Sequence, residues 1–133
     1  MQRENLKNNF SSITLEDIEH FKIALLLPCL NEELTLSQVI NDFRNEIPFL
    51  DIYVFDNGST DRSREIAVAE GAKVILVPRR GKGNVVRRMF EAVEADIYIM
   101  VDSDSTYDPK GIWKLLSPIL SGQAEMKIGR AYV

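Results

Sequence analysis

The chain has 133 residues, with 16 Lys and Arg against 20 Asp and Glu, a net charge of -4 and 45% hydrophobic residues. This length and apolar content suffice for the core of one domain, and the 27% of charged residues is ordinary for a folded soluble protein, which argues against global disorder. The acidic balance argues against general nucleic-acid binding, and a single cysteine excludes an internal disulfide, consistent with a reducing, cytoplasmic location.

The N-terminal part, residues 1–21, is predicted to be a polar lead-in, with a short helix over residues 15–21 that covers one end of a sheet. Residues 22–133 are predicted to form the folded domain. The longest apolar run, residues 23–30, is far shorter than the roughly 18 to 20 residues that cross a membrane. No membrane span is therefore predicted.

Strands and helices alternate along the rest of the chain. Short apolar runs predict four buried strands, with a fifth candidate at the end: 23–27, 52–55, 73–77, 97–101 and 125–128. Apolar residues at helical spacing predict four helices between them: 36–47, 61–70, 85–93 and 112–120. Pro48 ends the first of these helices, and the last begins near Pro109. The alternation predicts an α/β fold, with a mostly parallel sheet and helices on both faces.

A polar cluster follows each of the first four predicted strands. The clusters are residues 28–33, 56–61, 79–84 and 102–106. Ligands bind at the carboxyl ends of the strands in sheets of this kind. We therefore expect all four clusters to meet along one edge of the sheet.

Asp102 and Asp104 give the sharpest chemical signal. Two carboxylates about 4 Å apart repel each other by about 4 kcal/mol at an effective dielectric constant of about 20. A divalent cation removes that cost, and Mg²⁺ or Mn²⁺ prefers carboxylates together with substrate phosphates. The alternative is a solvated turn whose Asp side chains cap the next helix.

The loops after the first two strands carry candidate nucleotide contacts. The polar groups of Asp56 and Asn57 match the hydrogen-bonding edge of a base, whereas Thr60 and Asp61 are explained by helix capping. Glu32 is a candidate for binding a ribose hydroxyl; a plain helix-entry loop is the alternative.

The cluster at 79–84 combines glycines with basic residues. Glycines let backbone amides approach a phosphate, and cations offset its charge, so Lys82 is predicted to bind phosphate. The segment is not a Walker A loop, because Gly83 follows Lys82 where that motif has Ser or Thr. For Arg87 and Arg88, a solvated basic face is an equal alternative.

Together the four clusters resemble those of family 2 glycosyltransferases, and most nearly the branch of dolichol-phosphate mannose synthases and polyprenyl-phosphate glycosyltransferases. The resemblance covers about residues 22–133 and rests on four stretches: 28–33, 54–61, 80–83 and 101–104. It implies the GT-A fold, whose nucleotide-binding half is Rossmann-like. It also implies metal-dependent transfer of a sugar from a nucleotide-diphosphate sugar, with inversion at the sugar carbon.

The resemblance also implies roles for single residues. Three residues would line the nucleotide pocket: Pro28, Leu30 and Glu32. Phe55 and Asn57 would contact the base, with Asp56 beside them; the family often has a second Asp where Asn57 stands. Asp102 and Ser103 would hold the ribose and the donor sugar, and Asp104 would be the main ligand of Mg²⁺ or Mn²⁺. Arg130 falls near a family arginine that follows the fifth strand.

The family's chain continues beyond Val133 into a half that binds the acceptor, so the catalytic base is expected there and the domain is expected to be truncated. A lipid phosphate such as a polyprenyl phosphate, or a glycan, is the expected acceptor, and the cytoplasmic face of a membrane is a candidate location. Two alternatives stay open. One is a non-catalytic module that binds a nucleotide sugar, with dimerisation through an exposed sheet edge. The other is a haloacid dehalogenase-type phosphatase, because residues 102–106 fit its Asp-x-Asp-x-Thr motif.

Overall fold

The computed structural model describes residues 13–122 and contains four strands that alternate with helices. In chain order the elements are α1 (Leu15–Ile18), β1 (Ile23–Cys29), α2 (Leu36–Glu46), β2 (Asp51–Asp56), α3 (Ser63–Ala69), β3 (Lys73–Leu76), α4 (Lys82–Ala92), β4 (Ile97–Met100) and α5 (Ile112–Leu120). A 3-10 turn, Pro109–Gly111, leads into α5. Within the described residues, every helix is too short or too polar to cross a bilayer.

The four strands form one parallel sheet in the order β3-β2-β1-β4. β1 lies between two neighbours, so Leu26 is opposite both Tyr53 of β2 and Met100 of β4. Because all strands point the same way, their carboxyl ends lie at one edge. The predicted α/β class and the parallel sheet are confirmed.

Helices cover both faces of the sheet. On one face, Leu25 and Leu27 of β1 pack with apolar residues of α1, α2, α3 and α5. On the other, Leu26 packs with Val85 and Met89 of α4. This alternation within β1 explains its continuous apolar sequence, because a strand with a core on both sides has no solvent face.

β1 is longer than predicted, since it runs through Pro28 to Cys29. The backbone amide of Asn57 donates to the carbonyl of Cys29 on the β2 side, so Pro28 faces the β4 side. β4 has already ended there at Met100, and the carbonyl of Pro28 accepts from the hydroxyl of Ser103 instead. The missing N–H of proline therefore costs no bond of the sheet.

α4 begins earlier than predicted, because Lys82 and Gly83 form its first turn rather than a loop. Conversely, α1 stops at Ile18, and α3 begins only at Ser63. The predicted lead-in before residue 13, the candidate fifth strand at 125–128 and Arg130 lie outside the described residues.

Candidate functional site

A groove of about 400 Å³ lies at the carboxyl ends of the strands. Its lining residues come from all four polar clusters and from the first turns of α4: Pro28, Cys29, Leu30, Glu32, Asn57, Arg80, Gly81, Lys82, Val85, Asp102, Ser103 and Asp104. The clusters therefore converge as predicted.

The loops after β1 and β2 are joined by side-chain hydrogen bonds. Asn31 has a φ of 55°, and its Oδ1 accepts from the backbone amides of Thr60 and Asp61 at 2.8 and 3.2 Å. In return, the backbone amide of Asn31 donates to the hydroxyl of Ser59 at 2.9 Å. Asn31 thus fixes the β1 loop against the β2 loop.

The same two loops are joined a second time at Ser63, which is 0% exposed. Its hydroxyl accepts from the backbone amide of Glu32 at 2.9 Å and donates to Asp61 at 2.6 Å. Asp61 also accepts from the backbone amides of Ser63 and Glu33. Asp61 thus bonds Ser63, the first residue of α3, but the N-cap of that helix is Arg62, which makes no side-chain cap bond, so the predicted capping role of Asp61 is not confirmed. The bonds of Ser63 and Asp61 instead hold the backbone of Glu32 and Glu33 in place at the groove.

On the opposite wall, the first residue of α4 faces the loop after β4. Lys82 Nζ lies 3.4 Å from Oδ1 of Asp102. The first amides of a helix have no partner within the helix and carry a partial positive charge. Lys82 and the start of α4 together place positive charge beside the carboxylates, which suits a bound anion.

Asp104 is oriented by its own loop. Its Oδ1 accepts from the hydroxyl of Thr106 at 2.7 Å and from the backbone amide of Thr106 at 3.2 Å. Both bonds use the same oxygen, so the other carboxylate oxygen is directed away from the turn. These two bonds favour one orientation of the carboxylate, which suits a ligand of a cation.

Glu32 adds a third carboxylate close to Asp102 and Asp104. Burial raises the pKa of the Glu32 carboxyl, and the negative charges of Asp104 and Asp102 raise it further. The hydroxyl of Thr35, whose oxygen lies 3.4 Å from Glu32, lowers the pKa of Glu32 and so acts in the opposite direction. The proximity of these three carboxylates concentrates negative charge at this end of the groove.

The donor set suits a divalent cation that is only partly held by protein. Among residues 13–122, no three His, Cys, Asp or Glu side chains are grouped closely enough to enclose a metal ion. Mg²⁺ typically takes one or two carboxylates and completes its shell with substrate phosphates and water. Asp104 and Asp102, beside a groove with a positive wall, fit that arrangement.

Three predicted residues are less available to a ligand than expected. Phe55 is 0% exposed and packs in the core beneath α4, which argues against the predicted contact of its side chain with a base. Asp56 is 1% exposed, accepts from the backbone amides of Gly58 and Ser59, and has a buried Oδ1 with no hydrogen-bond partner in the part of the chain that the structure describes. Asn57 lines the groove, but its amide bonds the segment before α4.

Ser103 is also buried, at 1% exposed, although it lines the groove. Its hydroxyl donates to the carbonyl of Pro28 at 2.7 Å, and its own carbonyl accepts from the hydroxyl of Thr35 at 2.6 Å. Ser103 therefore joins the loops after β4 and β1. Its predicted contact with a donor sugar stays a prediction.

Sequence reasoning missed the residues that join the loops, above all Ser63, Thr35 and the inter-loop role of Asn31. Their partners across the loops lie 28 to 68 residues away in the chain. The one local signal was the excess of Ser, Thr and Asn in the polar clusters, and that composition equally indicates helix caps.

Comparison with known proteins places this groove in a family. The model of "Glycosyl transferase family 2" matches residues 24–133. The chain is 50% identical to Protein RfbJ of Shigella flexneri over 109 residues, which cover 82% of this chain and 84% of that protein. It is also 39% identical to Glycosyltransferase AglJ of Haloferax volcanii over 101 residues, which cover 75% of this chain but only 33% of AglJ.

The fold matches solved structures as well. Glucosyl-3-phosphoglycerate synthase from Mycobacterium tuberculosis, crystallised with Mn²⁺, uridine-diphosphate-glucose and phosphoglyceric acid, superposes with a TM-score of 0.72 and 32% identity. The match covers 84% of this chain and 45% of the synthase, so the chain spans less than half of that enzyme. With the family model matched along nearly all of the sheet and its loops, the chain belongs to glycosyl transferase family 2.

Proposed function

We propose that this chain binds a nucleotide-diphosphate sugar together with Mg²⁺ or Mn²⁺, and that it provides the donor site for transfer of the sugar to an acceptor. The proposal rests on one observation, which is that negative and positive groups face each other across the groove. Carboxylates of Glu32, Asp102 and Asp104 lie at one side, and Lys82 with the start of α4 lies at the other.

A diphosphate satisfies both sides of this groove. Its oxygens accept hydrogen bonds from the first amides of α4 and from Lys82, which offset part of its charge. When bound, Mg²⁺ or Mn²⁺ supplies further positive charge to the diphosphate oxygens. Asp104, whose carboxylate is oriented by Thr106, is the main protein ligand in this proposal, and Asp102 is the second.

In the transfer step, the bond between the anomeric carbon and the diphosphate breaks while an acceptor oxygen forms a bond to that carbon from the opposite face. The departing diphosphate gains negative charge, and Lys82 stabilises it. A lipid-phosphate acceptor is already ionised and needs little help from a base, whereas a glycan hydroxyl needs one. A lipid acceptor would put the chain at the cytoplasmic face of a membrane. We also propose that two copies of the chain can pair through an open edge of the sheet.

Two other functions are less well supported. The sequence 102–106 fits a phosphatase nucleophile, but the family match and the Mn²⁺ and UDP-glucose complex of the synthase favour sugar transfer. A non-catalytic module that binds the donor would use the same groove, and it would differ from a transferase only in lacking turnover of the donor. Donor hydrolysis or transfer by the purified chain distinguishes the two.

The first prediction concerns Asp104. Calorimetric titration with UDP-glucose and GDP-mannose should detect binding of at least one donor that requires Mn²⁺. Asp104→Asn should weaken that binding about tenfold or more, equivalent to about 1.4 kcal/mol, because it removes the charge of one of few protein ligands.

Asp51→Asn is the matched control, since Asp51 begins β2 at the end of the sheet opposite the groove. It should leave donor affinity unchanged. Binding without any need for a divalent cation, or equal affinity in Asp104→Asn and the unaltered chain, would contradict the proposed function.

A further inference from the structure

Asn57 stands directly after β2 and is only 7% exposed, although it lines the groove. Its backbone amide donates to the carbonyl of Cys29 at 2.9 Å, which extends the pairing of β1 and β2 by one residue. The backbone position of Asn57 is therefore set by the sheet. Its side chain reaches from there to a different part of the chain.

The side-chain amide of Asn57 bonds three backbone groups of the segment between β3 and α4. Nδ2 donates to the carbonyls of Val77 and Arg79 at 2.9 and 3.0 Å. Oδ1 accepts from the backbone amide of Gly81 at 3.1 Å. Both N–H groups of the amide are used, so Asn57 has no remaining donor for a base.

The segment that Asn57 bonds sets the start of α4. Gly81 is the residue before the helix and has a φ of 123°, a conformation that favours glycine. Lys82, the next residue, is the first of α4 and pairs with Asp102. A shift of Gly81 would therefore move both the first amides of α4 and the side chain of Lys82.

We propose that Asn57 is a positioning residue that fixes the Gly81–Lys82 backbone so that it can bind the diphosphate of the donor, rather than a residue that contacts the base. This inference rests on the proposed function for its ligand. Its structural part, the fixing of the segment before α4, is measurable without any ligand.

In this chain, the three bonds at position 57 fit asparagine better than the aspartate that the family often has there. An aspartate has nearly the same shape and still accepts from the Gly81 amide, but it lacks the two donors and places negative charge against the carbonyls of Val77 and Arg79. Leaving these carbonyls unpaired beside a carboxylate is unfavourable. Asn57→Asp is therefore a nearly isosteric test of the donor bonds.

The experiment compares Asn57→Asp with Asn45→Asp, which makes the same chemical change at an exposed position near the end of α2. Calorimetry measures the affinity of each for inorganic pyrophosphate with Mn²⁺ and for UDP with Mn²⁺. Hydrogen exchange measures the backbone amides of residues 79–85. We expect Asn57→Asp to weaken pyrophosphate and UDP by a similar factor, roughly tenfold or more, and to accelerate exchange at 79–85 but not in α2.

A base contact predicts the opposite pattern, in which UDP binding weakens and pyrophosphate binding does not. That result, or unchanged exchange at 79–85, would overturn the inference. If the unaltered chain binds neither pyrophosphate nor UDP, the proposed function fails, and local exchange alone decides the positioning role. Should Asn57→Asp not fold, Asn57→Ala removes the same donors without adding charge and is read in the same way.

Discussion

At the scale of single residues, the pair of Lys82 and Asp102 is expected to matter for ligand binding and little for the stability of the fold. The side chains are 80% and 51% exposed, and their charged atoms are 3.4 Å apart. An exposed pair of this kind contributes only about 0 to 1 kcal/mol to folding, because water screens it. The effect of Lys82 should therefore appear in ligand binding rather than in the stability of the chain.

We expect Lys82→Met to change the free energy of unfolding by less than about 1 kcal/mol. UDP affinity with Mn²⁺ should fall several-fold, and its dependence on salt concentration should weaken, because a charge beside the diphosphate is lost. Urea denaturation and calorimetry at two salt concentrations measure the two effects. Lys114→Met, on the exposed side of α5, is the control; a large loss of stability with unchanged UDP affinity would contradict this account.

The identity of the residues predicted part of the site, whereas the roles of other residues depend on where their side chains point in the fold. Asp102 and Asp104 were predicted from carboxylates next to an apolar strand, and Lys82 from cations among glycines; the structure brings all three to the groove. Phe55 and Asn57 were predicted as base contacts, yet one is in the core and the other bonds backbone. Which way a side chain at a strand end points depends on partners distant in sequence, so local pattern could not settle it.

At the scale of secondary structure, the start of α4 matters most for the groove, because Gly81 and Lys82 at this helix end line it. The sequence predicted strands and helices in the correct order, because apolar periodicity reports burial. It placed Lys82 and Gly83 in a loop, because the apolar residues at helical spacing begin only at Val85. The backbone amide of Gly81 donates to Oδ1 of Asn57 just before the helix, and a tertiary contact of this kind is not visible in a local sequence window.

The two glycines beside Lys82 should respond oppositely to alanine. Gly81→Ala should lower the free energy of unfolding by about 1 to 3 kcal/mol, because φ at Gly81 is 123° and an alanine there is strained. Gly83→Ala is the matched control. No atom lies within 4 Å of an added Cβ at Gly83, which sits inside the helix, so alanine should be neutral or stabilise by up to about 1 kcal/mol. Urea denaturation of both variants checks this, and equal effects would refute the assignment of strain to Gly81.

At the scale of the whole molecule, the groove exists only when four chain segments are assembled. The sheet order β3-β2-β1-β4 puts β1 in the middle, although it is first of the four strands in the chain. Parallel topology was predictable from the alternation of elements. The hydrogen bonds that join the loops were not, because each links residues that only the finished sheet brings together.

The central place of β1 bears on the order of events during protein synthesis. β1 leaves the ribosome early, but β4, one of its two neighbours in the sheet, is complete only at Met100. Likewise, the backbone amide of Lys22 bonds the carboxylate of Asp96, which is synthesised 74 residues later. A nascent chain stalled with β4 still inside the exit tunnel should therefore be cleaved readily by a protease, and one stalled with residue 122 well outside should resist it. Equal resistance of the two would mean that β1 to β3 fold without β4. If only the longer nascent chain resists the protease, the groove is among the last parts of the described chain to form. The nascent segment then needs protection from premature association until β4 has been added.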